Sequence, residues 1–153
     1  MHLEIKPATS DDAEAISRLT LDCIRTTNSS DYPADVIERT CENFTPERVL
    51  VKMLERRLFI ACSGDALVAT VSYSGNTLHS LFVKPDAQGR GIGRKLVRFV
   101  EELASAIGMR EIELHASVTA REFYQRLNYV EIAFEERMDG STYLMRKVLP
   151  VLR

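Results

Sequence analysis

At 153 residues, with 45% apolar and 27% charged side chains, the chain has the composition of a soluble globular protein and the length of one domain, 1–153, around one core. A net charge of −2 gives no electrostatic reason to expect nucleic acid, and no run approaches the ~18 apolar residues of a membrane span. Cys23, Cys41 and Cys62 are odd in number, widely spaced and free of any CxxC pair. They read as reduced thiols of a cytoplasmic protein, neither a disulfide framework nor a metal site. The opening residues carry acids where a secretory signal would place basic and apolar ones, in keeping with that compartment.

The predicted elements begin with a short strand, His2–Lys6, stopped at Pro7. Thr9 to Asp12 offers N-cap residues to a helix whose apolar positions are Ala13, Ile16, Leu19, Cys23 and Ile24. Thr26 to Pro33 is polar and loop-like. Helices follow over about Ala34–Asn43 and about Pro46–Glu55, the second capped by Thr45 with Pro46 in its first turn. Arg57–Cys62 and Ala66–Tyr73 are strands joined by a turn at Ser63-Gly64-Asp65.

Thr77 to Leu103 is the most informative stretch. A strand in which Leu78, Ser80 and Phe82 alternate with His79, Leu81 and Val83 ends at Pro85. Gln88-Gly89-Arg90-Gly91-Ile92-Gly93 then leads into an amphipathic helix carrying Leu96, Val97, Phe99, Val100, Leu103 and Ala104. Glycines let backbone approach a ligand, and the unpaired N–H groups at a helix start favour an anion, with Arg90, Arg94 and Lys95 adding positive charge. A nucleotide P-loop would need Lys-Ser or Lys-Thr after the glycines, and a Rossmann fingerprint would need GxGxxG where this chain has GxGxG.

Gly108 ends the helix, and Arg110–Ala116 alternates strictly, with Ile112, Leu114 and Ala116 opposite Glu111, Glu113 and His115. A strand–helix–strand crossover predicts that this strand runs parallel to the Thr77 strand. Ser117 or Thr119 can cap a short helix through Phe123, Tyr124 and Leu127, ended by Asn128 in a left-handed conformation. Val130–Glu136 and Ser141–Leu149 form a closing hairpin around Asp139-Gly140.

Val83-x4-Gln88-x-x-Gly91-x-Gly93 resembles motif A of the GNAT acetyltransferase superfamily. Ala120, Phe123, Tyr124, Leu127 and Tyr129 resemble its motif B, with Ser117 where Asn is commoner and Asn128 where Gly is commoner. Lys6-Pro7-Ala8 and Asp12 to Ile16 resemble the family's opening strand and helix. The resemblance spans nearly the whole chain. It implies an α/β fold in three layers, a central mixed sheet of about six or seven strands with about four or five helices.

The resemblance also implies a chemistry. In that family acetyl-CoA is the co-substrate, no metal is used, and acetyl passes directly to an amine. Gln88, Gly89, Arg90, Gly91, Ile92, Gly93 and Arg94 would hold the pyrophosphate. Backbone groups of Leu81, Phe82 and Val83 would bind pantetheine and polarise the acetyl carbonyl, and Ser117 would lie along the pantetheine arm. Tyr124 matches the tyrosine that protonates the coenzyme A thiolate. Thr77 stands where some members carry a glutamate base, whereas His79-Ser80-Leu81-Phe82-Val83 resembles the strand of arylalkylamine acetyltransferases that carries a base. His79 is thus a candidate base or a satisfied core histidine, His115 is a second candidate, and an amine arriving neutral would need neither.

The family's acceptor wall corresponds to residues about 26–46, which marks Tyr32, Phe44 and the polar Asn28–Asp31 as substrate-binding candidates. The expected acceptor is a small-molecule amine, with no nucleic-acid or membrane partner, and homodimers are common among relatives. A protein or peptide acetyltransferase and a non-catalytic acetyl-CoA-binding module are the alternatives; a toxin acting on aminoacyl-tRNA would show a more basic surface.

Overall fold

The computed structural model describes residues 2–138 and 140–150, so Asp139 of the expected hairpin turn lies outside the described residues. The strands are β1 (Glu4–Pro7), β2 (Arg57–Ser63), β3 (Ala66–Ser74), β4 (Thr77–Val83), β5 (Glu111–Ser117), β6 (Val130–Glu135) and β7 (Thr142–Val148). The helices are α1 (Ala13–Thr26), α2 (Ala34–Glu42), α3 (Pro46–Glu55), α4 (Ile92–Ala106) and α5 (Arg121–Arg126). None of them is long and apolar enough to cross a membrane.

Local chemistry fixes the ends of these elements much as the sequence predicts. Thr9 and Asp12 form a capping box before α1, with the Thr9 amide donating to Asp12 Oδ2 at 2.8 Å. Thr45 Oγ1 accepts from the Arg48 amide at the start of α3. Gly108 (φ 87°) follows α4 and Asn128 (φ 73°) follows α5, the two left-handed positions expected.

The strands form one sheet in the order β1-β2-β3-β4-β5-β7-β6, antiparallel except where β4 runs parallel to β5. Alternation along β2 sends Phe59 and Ala61 to one face and Ile60 to the other. Ile60 packs with Ala13, Ile16 and Val49 of α1 and α3, whereas Phe59 and Ala61 join Leu96, Val97 and Val100 of α4 with Leu78, Ile112, Leu114 and Met145 of the sheet. Helices therefore cover both faces, the three-layer α/β arrangement expected.

Two features depart from the regular pattern. First, β4 does not alternate throughout. Thr70 pairs with Phe82 but Ser72 pairs with His79, so β4 carries one residue too many and Ser80 takes φ 48° to absorb it. Beyond this bulge the faces exchange: Leu81 and Val83 join Leu78 on the α4 side, and Phe82 turns to Ile24, Ile37 and Cys41. Second, pairing between β4 and β5 covers Thr77↔Glu113 and Leu78↔Leu114 and stops there. The two parallel strands then diverge.

A polar cluster ties α4 to the far strands. Glu101 accepts from the Tyr129 hydroxyl at 2.8 Å and from Lys147 Nζ at 3.1 Å through both oxygens. Removing the shared acceptor strands a buried hydroxyl and a mostly buried ammonium. Glu101→Ala should therefore cost about 2–4 kcal/mol in urea unfolding, and Glu101→Gln distinctly less because it still accepts from Tyr129. Equal, small losses in both variants would show that the cluster does not hold α4 in place.

Candidate active site

The divergence of β4 and β5 opens the middle of the sheet, and two cavities meet in the gap. The larger, of about 400 Å³, runs from Leu81, Phe82 and Val83 over Gln88, Gly89, Gly91 and Ile92 to Arg94, and is closed by Ser117, Phe123, Tyr124 and Arg126. The smaller, of about 240 Å³, lies among Ile24, Tyr32, Ile37, Phe44, Phe82 and His115. Asn28, Leu81, Phe82, Ser117, Ala120 and Tyr124 line both. A group passed from one cavity to the other would pass through these residues.

The loop side offers open backbone and unpaired amides. Gly91 caps α4 in the left-handed region (φ 81°), with open space where a Cβ would stand. The first turn of α4 holds no acidic residue, and its leading amides point out of the helix. Gly93 serves a different need: its Cβ would come within 3.1 Å of Phe123, so glycine lets α5 close over the start of α4. Gln88 shapes the loop from within, donating to Val83 O at 3.1 Å and to Thr27 Oγ1 at 3.2 Å. Cys23 donates to the same Val83 carbonyl, and its burial pushes the thiol up to about 12, far from a reactive thiolate. Arg90 lies in the loop but not among the described lining residues, whereas Arg94 and Arg126 do line the cavity.

Tyr124 stands where the cavities meet. It is buried between Phe123 and Tyr129, with ring centroids at 5.0 and 5.6 Å and edge-to-face geometry. Its hydroxyl makes no hydrogen bond among the described residues, and burial raises its pKa well above the ordinary tyrosine range. It thus keeps its proton at any ordinary pH, and both cavities reach it.

The two histidines occupy different places. His79 Nε2 lies 3.1 Å from Ser74 Oγ, and His79 is not among the described residues lining either cavity. His115, on β5 beyond the last residue paired with β4, does line the smaller cavity. Its Nδ1 faces Glu135 Oε2 at 3.6 Å, and that oxygen also accepts from Arg137 at 2.7 Å. The Arg137 hydrogen bond, foremost, holds the Glu135 carboxyl below its usual value. Nε2 of His115 has no hydrogen-bond partner among the described residues.

Tyr32 and Phe44 wall the smaller cavity. The Tyr32 hydroxyl accepts from the Val118 amide and donates to Ser141 O, both at 2.8 Å, bridging three chain segments. Thr119 Oγ1 adds a 2.7 Å hydrogen bond to Asp31 beside it. Phe44 meets Phe82 edge to face at 5.5 Å. Asn28, of the polar Asn28–Asp31 stretch, lines both cavities. Thr27, Thr119, Phe123 and Arg126 also line the site, although nothing in their local sequence marks them apart from the neighbourhood of motif B.

The residues 28–149 match the family model of the acetyltransferase (GNAT) domain. A curated relative, an uncharacterized N-acetyltransferase of Methanocaldococcus jannaschii, is 37% identical over 93 residues. That match covers 59% of this chain and 40% of the relative, so the chain spans well under half of that protein's length. Among solved structures, a GCN5-related N-acetyltransferase from Rhodopseudomonas palustris superposes with a TM-score of 0.91 at 22% identity, over 97% of each chain. PaiA N-acetyltransferase from Thermoplasma acidophilum, in complex with coenzyme A, gives 0.81 at 21% identity over 97% of this chain and 99% of its own. YncA from Salmonella typhimurium, a putative acetyltransferase with acetyl-CoA, gives 0.68 at 16% identity over 100% and 97%. At these identities the structures establish the shared fold.

The placement of His79 has a consequence for stability. Burial first, then the charges of Arg56 and His115, lower its pKa from 6.5 to about 4. Because the folded value lies below the unfolded one, the unfolded chain takes up the extra proton between them. The stability that His79 contributes is whole above about pH 6.5 and is lost as the pH falls toward 4. His79→Asn should therefore make urea midpoints decline less steeply than wild type between about pH 7 and pH 4.5. Equal slopes would contradict this account of the His79 environment.

Proposed function

The chain belongs to the GNAT acetyltransferase family, and on that premise we propose that it transfers acetyl from acetyl-CoA to a primary amine of a small molecule by direct attack, without a covalent enzyme intermediate. The observation that carries this reading is the meeting of two cavities at the gap between β4 and β5, with Tyr124 lining both. Coenzyme A or acetyl-CoA is present in the PaiA and YncA structures that share the fold. The residues here suit it: open space over Gly89 and Gly91, unpaired amides at the start of α4, and Arg94 and Arg126 in the lining. Bound there, acetyl-CoA supplies an acetyl group activated as a thioester.

The remaining work falls to this chain's own groups. The β5-facing edge of β4 beyond Leu78 is free of pairing to β5, so backbone groups between Leu81 and Val83 can bind and polarise, apart from the Val83 carbonyl, which already accepts from Gln88 and Cys23. Tyr124 holds a proton at its hydroxyl oxygen, where it can be given to a departing sulfur. The acceptor must lose a proton to become nucleophilic. His115 takes that role, because it lines the smaller cavity and Glu135, facing Nδ1, leaves Nε2 without a partner among the described residues. His79, tied to Ser74 and depressed to about 4, is a poorer proton acceptor at neutral pH. The Tyr32 bridge to Val118 and Ser141 crosses the mouth on the acceptor side, which favours a small amine over a peptide lying in an open groove.

Thiol release from acetyl-CoA in the presence of a panel of primary amines tests the reaction. Tyr124→Phe should lower kcat by about a hundredfold with the coenzyme Kd unchanged, and His115→Gln should lower kcat with the coenzyme Kd likewise unchanged. Arg94→Glu should weaken coenzyme binding by about tenfold in calorimetry. An unaltered rate in Tyr124→Phe would return that residue to a packing role. Unaltered coenzyme affinity in Arg94→Glu would place the phosphates elsewhere.

A further inference from the structure

The smaller cavity is chemically one-sided. The wall supplied by α1, α2 and the segment after α2 is Ile24, Ile37 and Phe44, with Phe82 of β4 beside them. The hydroxyls on that wall are already committed within the protein: Tyr32 both donates and accepts, and Thr40 donates to Val36 O at 2.8 Å. Asp, Glu, Lys and Arg are all missing from its described lining residues. The remaining polar side chains of the lining are Asn28 of the loop after α1, Ser80, His115, Ser117, Tyr124 and Thr142, and none of these is a carboxylate or an ammonium.

This distribution constrains what can sit there. A second ammonium, or a carboxylate, against Ile24, Ile37, Phe44 and Phe82 would give up its hydration and find no countercharge. An aromatic or branched aliphatic body would gain by burial, and a ring could extend the edge-to-face pair of Phe44 and Phe82. A volume of about 240 Å³ admits a compact body only.

We infer that the acceptor carries its single primary amine on a compact, uncharged, apolar body, and that diamines, polyamines and free amino acids are rejected. The inference rests on the transferase reading of the same site. It excludes most of the cationic and zwitterionic amines that such a reaction could otherwise use.

Equilibrium binding of three probes to the protein with coenzyme A present tests it, read by calorimetry. Phenylethylamine has the inferred character, putrescine adds a second ammonium, and free phenylalanine adds a carboxylate to the phenylethylamine skeleton. Phenylethylamine should bind at least about tenfold more tightly than either other probe. Equal or tighter binding of putrescine or phenylalanine, or no binding of phenylethylamine, would overturn the inference. Thr40→Glu, which sets a carboxylate on the α2 wall, should shift the phenylethylamine-to-putrescine ratio toward putrescine by about tenfold. An unchanged ratio would show that the amine's body lies elsewhere. Acetylation of putrescine faster than phenylethylamine would overturn this inference and leave the transferase reading intact. Selective phenylethylamine binding without thiol release would uphold the inference and remove the transferase reading instead.

Discussion

Opposite Val71, the central strand β4 carries one residue more than the β3 ladder can pair, and Ser80 absorbs it with a φ of 48°. A serine in that region is uncommon and mildly strained, and such strain persists only when its surroundings hold it in place. The surroundings here are the ladder on both sides of the bulge and the apolar clusters on both faces. The bulge turns Phe82 toward Phe44 and sends Leu81 and Val83 toward α4. Pairing to β5 has by then stopped at Leu78, so this edge of β4 is left without a partner strand inside the sheet.

The other parts of the site are arranged around that opening. The Gly-rich loop begins at Gln88, whose side chain is pinned back to the Val83 carbonyl and so fixes where α4 begins relative to the gap. On the other side of the opening, β5 delivers His115 and Ser117, and α5 delivers Tyr124. Tyr32 then joins the loop after α1 to the segments after β5 and before β7, closing the smaller cavity with two hydrogen bonds at one hydroxyl. Loops supply much of this lining, and the rigid sheet decides where they meet.

Much of the architecture was legible in the sequence because it depends on local rules. Caps at Thr45 and Asp12, left-handed positions at Gly108 and Asn128, and the parallel β4–β5 crossover each follow from residues close together in the chain. The loop and Tyr124 were legible through their motifs. The bulge was not, since Leu78 to Val83 is apolar on both sides and alternation carries no signal for an inserted residue. Nor could local pattern separate His79 from His115. Both lie on strands at the edge of the opening, and only the three-dimensional placement puts Ser74 beside one and Glu135, from a strand two places away, beside the other. The Tyr32 bridge joins residues 86 and 109 positions apart, beyond the reach of any periodicity.

On the proposed reading, the coenzyme lies in the gap between β4 and β5 and at the start of α4. Amide hydrogen exchange with and without coenzyme A addresses this without needing an acceptor. The account predicts that added coenzyme slows exchange at Leu81 to Val83 and at Gly89 to Arg94, and leaves the β1–β2 amides unchanged. Protection confined to other segments, with Leu81 to Val83 exchanging as before, would contradict it.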